Sequence, residues 1–343
     1  MRRASFLTWH RQLALLFAPL ILLQAITGGV LLFREPLGRL LEPTPTAGPV
    51  LGTDRLFVAA AASGKRVERL QPPAAPGRMA MAQIVDDDGT RTLLAIDPAS
   101  ARVMREGGLA AFPVEAALRL HYQLLAGNTG LFVVLLTGAV LLLMVGTGLA
   151  FWWPVKGRWS KSLAINPRMP ARARLRHWHR NFGVVVALLI GCSGVTGVLL
   201  AGADLLPLLT APAPKPAVTT SAGGAPTPAS VEAGVRLAQT EFPRAQVRDL
   251  RFAPGGRMDV NLLAPERNSL AVHVVKVDLA SGRIASVVAA QDNPALWMKI
   301  LPYHSGDEFG LIGQLILLIE ALVLIGLGVS GPLMWWQQRK RRT

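Results

Sequence analysis

Four long apolar segments constrain the fold of this chain more than any other feature of its sequence. They cover about residues 12–33, 129–153, 182–206 and 311–336, and each exceeds the roughly 20 residues that an α-helix needs to cross a bilayer. Because backbone polar groups cannot stay unpaired in lipid, these segments are expected to be helices. The sequence therefore predicts an integral membrane protein whose fold class is an all-α bundle of four transmembrane helices.

The net charge of +15 is distributed unevenly along the 343 residues. Fifteen cations, with no acid among them, precede the first segment, separate the second from the third, and follow the fourth. The remaining 21 cations are balanced by 21 acids. By the positive-inside rule, both termini are cytoplasmic and the two long loops lie outside. This distribution indicates a membrane topology and no nucleic-acid partner.

One repeated spacing joins a histidine to a small hydroxyl–glycine pair within the same segment. His10 is followed 17 residues later by Thr27–Gly28, and His179 is followed 17 residues later by Thr196–Gly197. Each histidine also precedes an arginine, Arg11 or Arg180. The spacing predicts that the chain is an internal duplication.

A second repeated spacing supports the duplication. His121 is followed 26 residues later by Thr147–Gly148, and His304 is followed 26 residues later by Ser330–Gly331. A tryptophan pair closes both segments. Each copy therefore carries two placed histidines.

These features predict nine parts in chain order. The transmembrane helices occupy 1–34, 121–154, 179–206 and 304–337; two outer modules occupy 35–120 and 230–303; a basic loop covers 155–178, a Pro/Ala-rich linker 207–229, and a basic tail 338–343.

Each outer module is predicted to be a small α+β unit. The first has a helix at 55–63, a hairpin at 78–85 and 90–96, and a further extended stretch near 102–104. The second has a helix at 231–240 and strands at 246–252, 258–263, 271–278 and 283–289. A turn that begins Asp97-Pro98 in the first module is repeated at Asp278 in the second.

The direction of the helices locates the four histidines. Helices one and three run outward, so His10 and His179 lie at the cytoplasmic face. Helices two and four run inward, so His121 and His304 lie at the outer face. The 17-residue spacing spans about 25 Å, so histidines at opposite faces cannot share one metal ion. A pseudo-twofold axis along the membrane normal pairs the two histidines at each face, and each pair can offer one imidazole nitrogen to each side of a single metal ion.

The chain resembles the PepSY-associated transmembrane family, and its motifs are similar to those of the inner-membrane siderophore reductases of that family. The shared features are H-R at helices one and three, L-H-x-x-L at helix two, P-x-H-S-G-x-x-x-G at helix four, and the D-x-x-[ST]-x-[RK] hairpins. The resemblance implies a bacterial inner-membrane protein with two PepSY-like periplasmic modules and two haem b groups, one held by His10 and His179 and the other by His121 and His304. It implies an enzyme that reduces ferric siderophores and releases Fe(II), with a cytoplasmic reductase or the quinol pool as electron donor.

Further residues are candidates for the haem sites. Arg11 and Arg180 are expected to pair with haem propionates, although membrane topology alone also explains them. His177 has no repeated counterpart and is a candidate alternative ligand. Gly127 and Gly310 lie close to the outer histidines and allow either close packing or clearance for the macrocycle.

The hydroxyl–glycine pairs carry the same two interpretations. They either permit close helix packing or leave space for a flat macrocycle. The four pairs are Thr27–Gly28, Thr147–Gly148, Thr196–Gly197 and Ser330–Gly331.

Three acidic residues have open roles. Glu320 lies in the middle of an apolar segment, and it is either protonated and structural or part of a proton relay. Asp307 and Glu308 follow His304 and are expected to orient it, to contact substrate, or to belong to a solvated loop.

Two alternative functions stay open at this point. The first is a haem-free membrane anchor whose outer modules bind a peptidase or another envelope partner. The second is a dihaem electron-transfer protein with a different periplasmic acceptor. The sequence contains no glycine-rich phosphate loop after a strand, so no flavin or nicotinamide site is expected.

Overall fold

A computed structural model describes residues 3–154, 156–164, 168–210 and 225–339. The chain forms two compact units. The helical unit comprises Met1–Phe33, Ala117–Thr210 and Ile300–Thr343, and the sheet unit comprises Arg34–Ala116 and Ala211–Lys299. Most of the predicted linker, residues 211–224, lies outside the described residues.

The helical unit contains four helices long and apolar enough to cross a membrane. Their apolar spans are Ala4–Leu31, Gly127–Trp152, Ala187–Pro207 and Asp307–Arg339. The first three spans lie in helices α1 (Arg3–Leu31), α5 (Gly127–Trp152) and α8 (Ala187–Thr210), and the fourth combines a 3-10 turn at Asp307–Phe309 with helix α11 (Gly310–Arg339). Helix α1 packs against α5 and α11, and α5 packs against α8. The prediction of four membrane helices is confirmed.

The two histidines predicted to lie at the outer face are on short helices that precede the membrane spans, whereas the sequence had predicted one continuous helix from each histidine. His121 is on α4 (Pro113–Gln123) and His304 is on α10 (Leu296–His304). The chain turns into α5 and α11 at Gly127 and Gly310, whose φ angles are +57° and +55°. An added Cβ at either glycine would meet open space, so backbone conformation explains them both.

A second glycine in each span allows the backbone that follows the short helix to lie against the start of the span. A Cβ added at Gly130 would lie 1.7 Å from the Gln123 carbonyl oxygen, and one added at Gly313 would lie 2.3 Å from the Gly306 carbonyl oxygen. Only glycine permits this approach, and it fixes the histidine-bearing turn against the start of the span.

The cytoplasmic end of the bundle, in the predicted topology, has two further helices. Helix α6 covers Trp159–Leu163 and α7 covers Ala171–Val185. Val186 alone separates α7 from α8, and its N–H still bonds the Phe182 carbonyl at 3.0 Å.

The sheet unit is built on one eight-stranded antiparallel sheet. The strand order is β4-β3-β2-β1-β5-β6-β7-β8. The strands are β1 (Arg66–Gln71), β2 (Ala80–Val85), β3 (Arg91–Ile96), β4 (Val103–Gly107), β5 (Val247–Ala253), β6 (Arg257–Leu263), β7 (Val272–Asp278) and β8 (Arg283–Val288). The two predicted modules are thus joined by the pairing of β1 with β5, in which Leu70 lies opposite Leu250.

Three helices belong to this unit. Helix α2 covers Arg34–Leu41, α3 covers Thr53–Ala61 and α9 covers Pro228–Glu241. Helices α3 and α9 pack against each other, and both contact the strands. Their fully buried members, such as Leu56 and Val231, join Leu70, Leu250 and other strand residues in one core cluster. Helix α2 and strand β1 were not predicted from the sequence.

The two repeated hairpin turns share one geometry. Asp97 Oδ1 accepts from the Ala99 N–H at 3.0 Å, and Asp278 Oδ1 accepts from the Ala280 N–H at 2.9 Å. Four residues after each aspartate, Ala101 and Gly282 have φ angles of +57° and +63°. The D-x-x-[ST]-x-[RK] motif is therefore an aspartate-capped turn.

A buried carboxylate lies at the β1–β5 junction. Asp249 is 0% exposed, and its oxygens lie 3.2 Å from Arg69 Nη2 and 3.0 Å from Arg251 Nε. Asn261 donates to it at 3.0 Å. Burial raises the pKa of Asp249, but the two guanidinium groups and the amide outweigh burial, so the pKa is lowered.

Candidate functional site: two histidine pairs

The helical unit brings four of the predicted histidines together as two pairs. The rings of His10 and His179 have centroids 6.4 Å apart, and those of His121 and His304 have centroids 6.3 Å apart. All four residues are half-buried. Thr27 contacts His121 and lies 17 residues beyond His10 on α1, so the pairs are separated by about 25 Å along the helix.

The spacing within each pair fits two imidazoles on one iron. A metal–imidazole bond of about 2.0–2.1 Å, with roughly 1.2 Å from nitrogen to ring centre, places two opposed ring centres about 6.5 Å apart. The ring planes meet at 84° in the His10–His179 pair and 42° in the His121–His304 pair. Rotation about a nitrogen–metal–nitrogen axis permits either angle, so both pairs fit.

Each ring is held through Nδ1 by a hydroxyl on a neighbouring membrane helix. Nδ1 lies 3.4 Å from Thr147 in His10, 3.0 Å from Thr27 in His121, 2.7 Å from Ser330 in His179 and 2.8 Å from Thr196 in His304. No described residue forms a hydrogen bond with Nε2 of any of the four. The nitrogen that binds a metal is thus available in all four rings.

A cavity of about 540 Å³ lies at the His10–His179 pair. This volume is within the range of about 300–1,000 Å³ that small-molecule and cofactor sites occupy. Apolar side chains form most of its wall, with Gly148 and Gly331 beside the two rings.

Cationic and amide side chains also line this cavity. They include the predicted Arg11 and Arg180, and also Arg176 and Gln338, which the sequence analysis did not select. Arg11 donates to Gln338 Oε1 at 2.5 Å. Arg176 could have been predicted from the sequence, because it precedes Arg180 by four residues and residues at this spacing share a helix face.

His177 lies in the same cavity but has a different partner. Its Nδ1 is 3.1 Å from Arg180 Nη2, whereas the ring beside His10 is that of His179. Arg180 also donates to the carbonyl of Ser162. His177 therefore lies beside Arg180, the predicted partner of a haem propionate.

One buried donor near each pair lacks a protein partner. Trp152 Nε1 lines the cavity region of the His10–His179 pair, and Gln24 Nε2 lies one turn before Thr27, the residue that contacts His121. Neither has a hydrogen-bond partner among the described residues. A buried donor without a partner is costly, so both positions fit a bound group that carries acceptor oxygens.

Acidic side chains lie near the His121–His304 pair. Asp307 accepts from Ser305 at 2.9 Å and from Gln314 at 3.3 Å, which ties the turn after His304 to the start of α11. Tyr122, next to His121, donates to Asp204 on α8. Glu308 is exposed.

Glu320 lies between the two pairs along α11. It is 5% exposed and accepts from Ser193 on α8 at 3.0 Å. Its repeat equivalent, Thr137, is equally buried and donates to the Val133 carbonyl of its own helix. In the described part of the chain, no group of three or more His, Cys, Asp or Glu residues is placed to hold a bare metal ion.

Comparison with known families decides the identity of the chain. The family model described as "PepSY-associated TM region" matches residues 7–338. The chain belongs to this family. The match covers nearly the whole sequence, in agreement with the resemblance in its motifs. No curated protein matches the chain significantly.

Proposed function

We propose that this member of the PepSY-associated TM family is an inner-membrane b-type dihaem cytochrome. It would carry electrons from the cytoplasmic side to ferric siderophores in the periplasm and release Fe(II). The observation that carries the proposal is the two histidine pairs, with ring centroids 6.4 Å and 6.3 Å apart near opposite ends of α1. When bound between two imidazoles, a haem supplies one-electron redox chemistry.

The residues of the chain have distinct roles in this proposal. His10 and His179 hold one iron, and His121 and His304 hold the other. Arg11 and Arg180 neutralise propionate carboxylates at the first pair, where a guanidinium can bind both oxygens. Apolar walls exclude water, which tunes the potential of the iron.

The charge distribution supports the proposed orientation. The basic stretches before α1, between α5 and α8, and after α11 favour a cytoplasmic location for both termini, since basic loops usually stay inside. The His10–His179 pair is then on the cytoplasmic side and the His121–His304 pair on the periplasmic side.

The sheet unit supports an internal duplication into two PepSY-like modules. A helix followed by four strands occurs twice, as α3 with β1–β4 and as α9 with β5–β8. The aspartate turns occupy the same place in both halves, between the third and fourth strands. Pairing of the equivalent strands β1 and β5 at the centre of the sheet fits a twofold relation between the halves.

The proposed reaction adds one electron to each Fe(III). A cytoplasmic reductase or quinol supplies the electron, and the chelated Fe(III) becomes Fe(II). Hard oxygen ligands of a siderophore hold Fe(II) less tightly than Fe(III), so reduction releases the iron.

Two measurements on the purified protein test the proposal. After haem-replete expression, we expect a reduced b-type absorption spectrum with two haems per chain. No such absorption would reject the cytochrome and favour a haem-free membrane anchor. We then expect dithionite-reduced protein to be reoxidised by a ferric siderophore under anaerobic conditions. If no ferric chelate reoxidises it, the acceptor is a different one.

A further inference from the structure

The hydroxyl–glycine pairs contact the histidine rings from the side, one pair to each ring. Thr147–Gly148 on α5 contacts His10, and Thr27–Gly28 on α1 contacts His121. The second half of the chain repeats the arrangement, with Ser330–Gly331 against His179 and Thr196–Gly197 against His304. Within each half of the chain, therefore, the hydroxyl–glycine pair on one membrane helix contacts the histidine that belongs to the other.

The direction of the Nδ1 hydrogen bonds follows from where the hydroxyl hydrogens go. Each threonine gives its hydrogen to the carbonyl four residues earlier, at 2.7 Å for Thr27, 2.7 Å for Thr147 and 2.8 Å for Thr196. A hydroxyl that donates to a carbonyl can still accept. The ring nitrogen must then be the donor, which places the imidazole hydrogen on Nδ1.

His10 supports the same assignment independently. Its Nδ1 lies 2.9 Å from the backbone carbonyl oxygen of Met144. A carbonyl oxygen only accepts, so Nδ1 of His10 carries the hydrogen and Nε2 carries the lone pair. Ser330 has the longest hydroxyl–carbonyl contact of the four, with its oxygen 3.3 Å from the Leu327 carbonyl oxygen.

The glycines give each ring its space. A Cβ added to the glycine would lie 3.1 Å from Cε1 of His121 at Gly28 and 3.3 Å from Cε1 of His10 at Gly148. The corresponding distances are 3.4 Å for His304 at Gly197 and 3.7 Å for His179 at Gly331. The clearance therefore serves the imidazole, and it becomes less critical from Gly28 to Gly331.

Other glycines of the same helices provide a contrast. A Cβ added at Gly146 on α5, Gly191 on α8 or Gly326 on α11 would meet no atom within 4 Å. Close packing is thus not a general property of the glycines in these spans.

We propose that the four hydroxyl–glycine pairs are positioning residues that hold the histidines as Nδ1–H tautomers, with Nε2 free to bind metal. The identity of the metal group rests on the proposed function; the tautomer does not. The repeated spacings of 17 and 26 residues follow from this role, because they set each pair beside the ring of the partner helix.

Nitrogen-15 NMR of the histidine rings in the haem-free full-length protein tests the tautomer directly. Free histidine side chains favour Nε2–H, so four Nδ1–H rings would be a distinctive result. His273 is an internal reference for the opposite tautomer, because its Nδ1 accepts from the Ala290 N–H at 3.1 Å. We expect Thr196→Val to remove the Nδ1–H signal of His304, and Thr196→Ser to retain it. Nε2–H rings in the wild type, or no change in Thr196→Val, would overturn the proposal.

Haem retention supplies a second readout. Loss of the residue that orients a metal ligand typically weakens binding 10- to 100-fold, and we expect this for Thr196→Val and for Gly28→Ala. Gly146→Ala is the matched control and should stay within about twofold of wild type. Equal retention in Gly28→Ala and Gly146→Ala would contradict the role of the glycine. If the wild type binds no haem while its rings are Nδ1–H, the proposed function fails and the tautomer assignment stands.

Discussion

His273 in the sheet unit is buried and His304 in the helical unit is half-buried, and their ring nitrogens have different partners. In His273, Nδ1 accepts from the Ala290 N–H and Nε2 lies 2.9 Å from Glu266 Oε1, while the ring stacks on Phe242 at 3.8 Å. In His304, Nδ1 bonds Thr196 and no described residue bonds Nε2. The protein completes the bonding of the first ring and leaves the second with a free ligand position.

Other buried polar groups of the two units also differ in their partners. Asp249 in the sheet unit accepts from Arg251 and Asn261 through Oδ1, and its Oδ2, which makes no hydrogen bond with a described residue, lies 3.2 Å from Arg69 Nη2 in an ion pair. In the helical unit, the indole N–H of Trp152 and the amide of Gln24 have no partner among the described residues. Buried groups that the fold does not satisfy indicate a bound ligand more clearly than buried polarity alone.

The largest effect on stability is expected at Asp249. Asp249→Ala leaves Arg69 and Arg248, both partly buried, without the carboxylate that lies 3.2 Å and 3.9 Å from them, so it should lower the free energy of unfolding by about 3–5 kcal/mol. Since the pKa of Asp249 is lowered by folding, its stabilisation is present above about pH 4 and is lost as pH falls through the folded pKa. The difference in thermal midpoint between wild type and Asp249→Asn should therefore shrink from pH 6 to pH 3. A constant difference would contradict this account.

His273→Ala should destabilise the protein without removing a haem. It leaves the Ala290 N–H unpaired and opens space beside Phe242, which together should cost about 2–4 kcal/mol. Thermal unfolding measures the loss, and haem content per folded chain should equal that of the wild type. A lost haem in this variant would remove the distinction between the two kinds of histidine.

Trp152→Phe should weaken haem retention at one pair only. The change keeps an aromatic ring against Trp159, which lies 5.3 Å away, and deletes the unpartnered N–H. A neutral hydrogen bond contributes about 0.5–1.5 kcal/mol, so retention at the His10–His179 pair should fall roughly 2- to 10-fold. Trp153→Phe, at a tryptophan that is 55% exposed, is the control. Equal haem loss in both variants would argue against an indole–ligand bond.

Glu320→Gln is expected to have the smallest effect. The amide oxygen of glutamine can accept the same hydrogen bond from Ser193, so stability should change by less than about 1 kcal/mol. Glu320→Leu removes the acceptor and should cost more. If Glu320→Gln instead abolishes electron transfer with both haems bound, Glu320 is part of a proton relay.

The sequence predicted the membrane helices and the family because both depend on local patterns. The repeated spacings also predicted which residues lie together in the structure, such as His10 and His179. The role of Thr27–Gly28 could not be read from the sequence, because it depends on which helix packs beside α4. The pairing of β1 with β5 joins strands about 180 residues apart, and local patterns carry no information on such pairing.

Haem stoichiometry in matched histidine variants tests the central claim most directly. The account predicts two haems per chain in the wild type, one in His121→Ala, one in His304→Ala and two in His273→Ala. Since the first two residues form one pair, the double variant His121→Ala/His304→Ala should also retain one haem. Two haems in His304→Ala, or none in the wild type, would contradict the claim that paired histidines at each end of the bundle hold the cofactors.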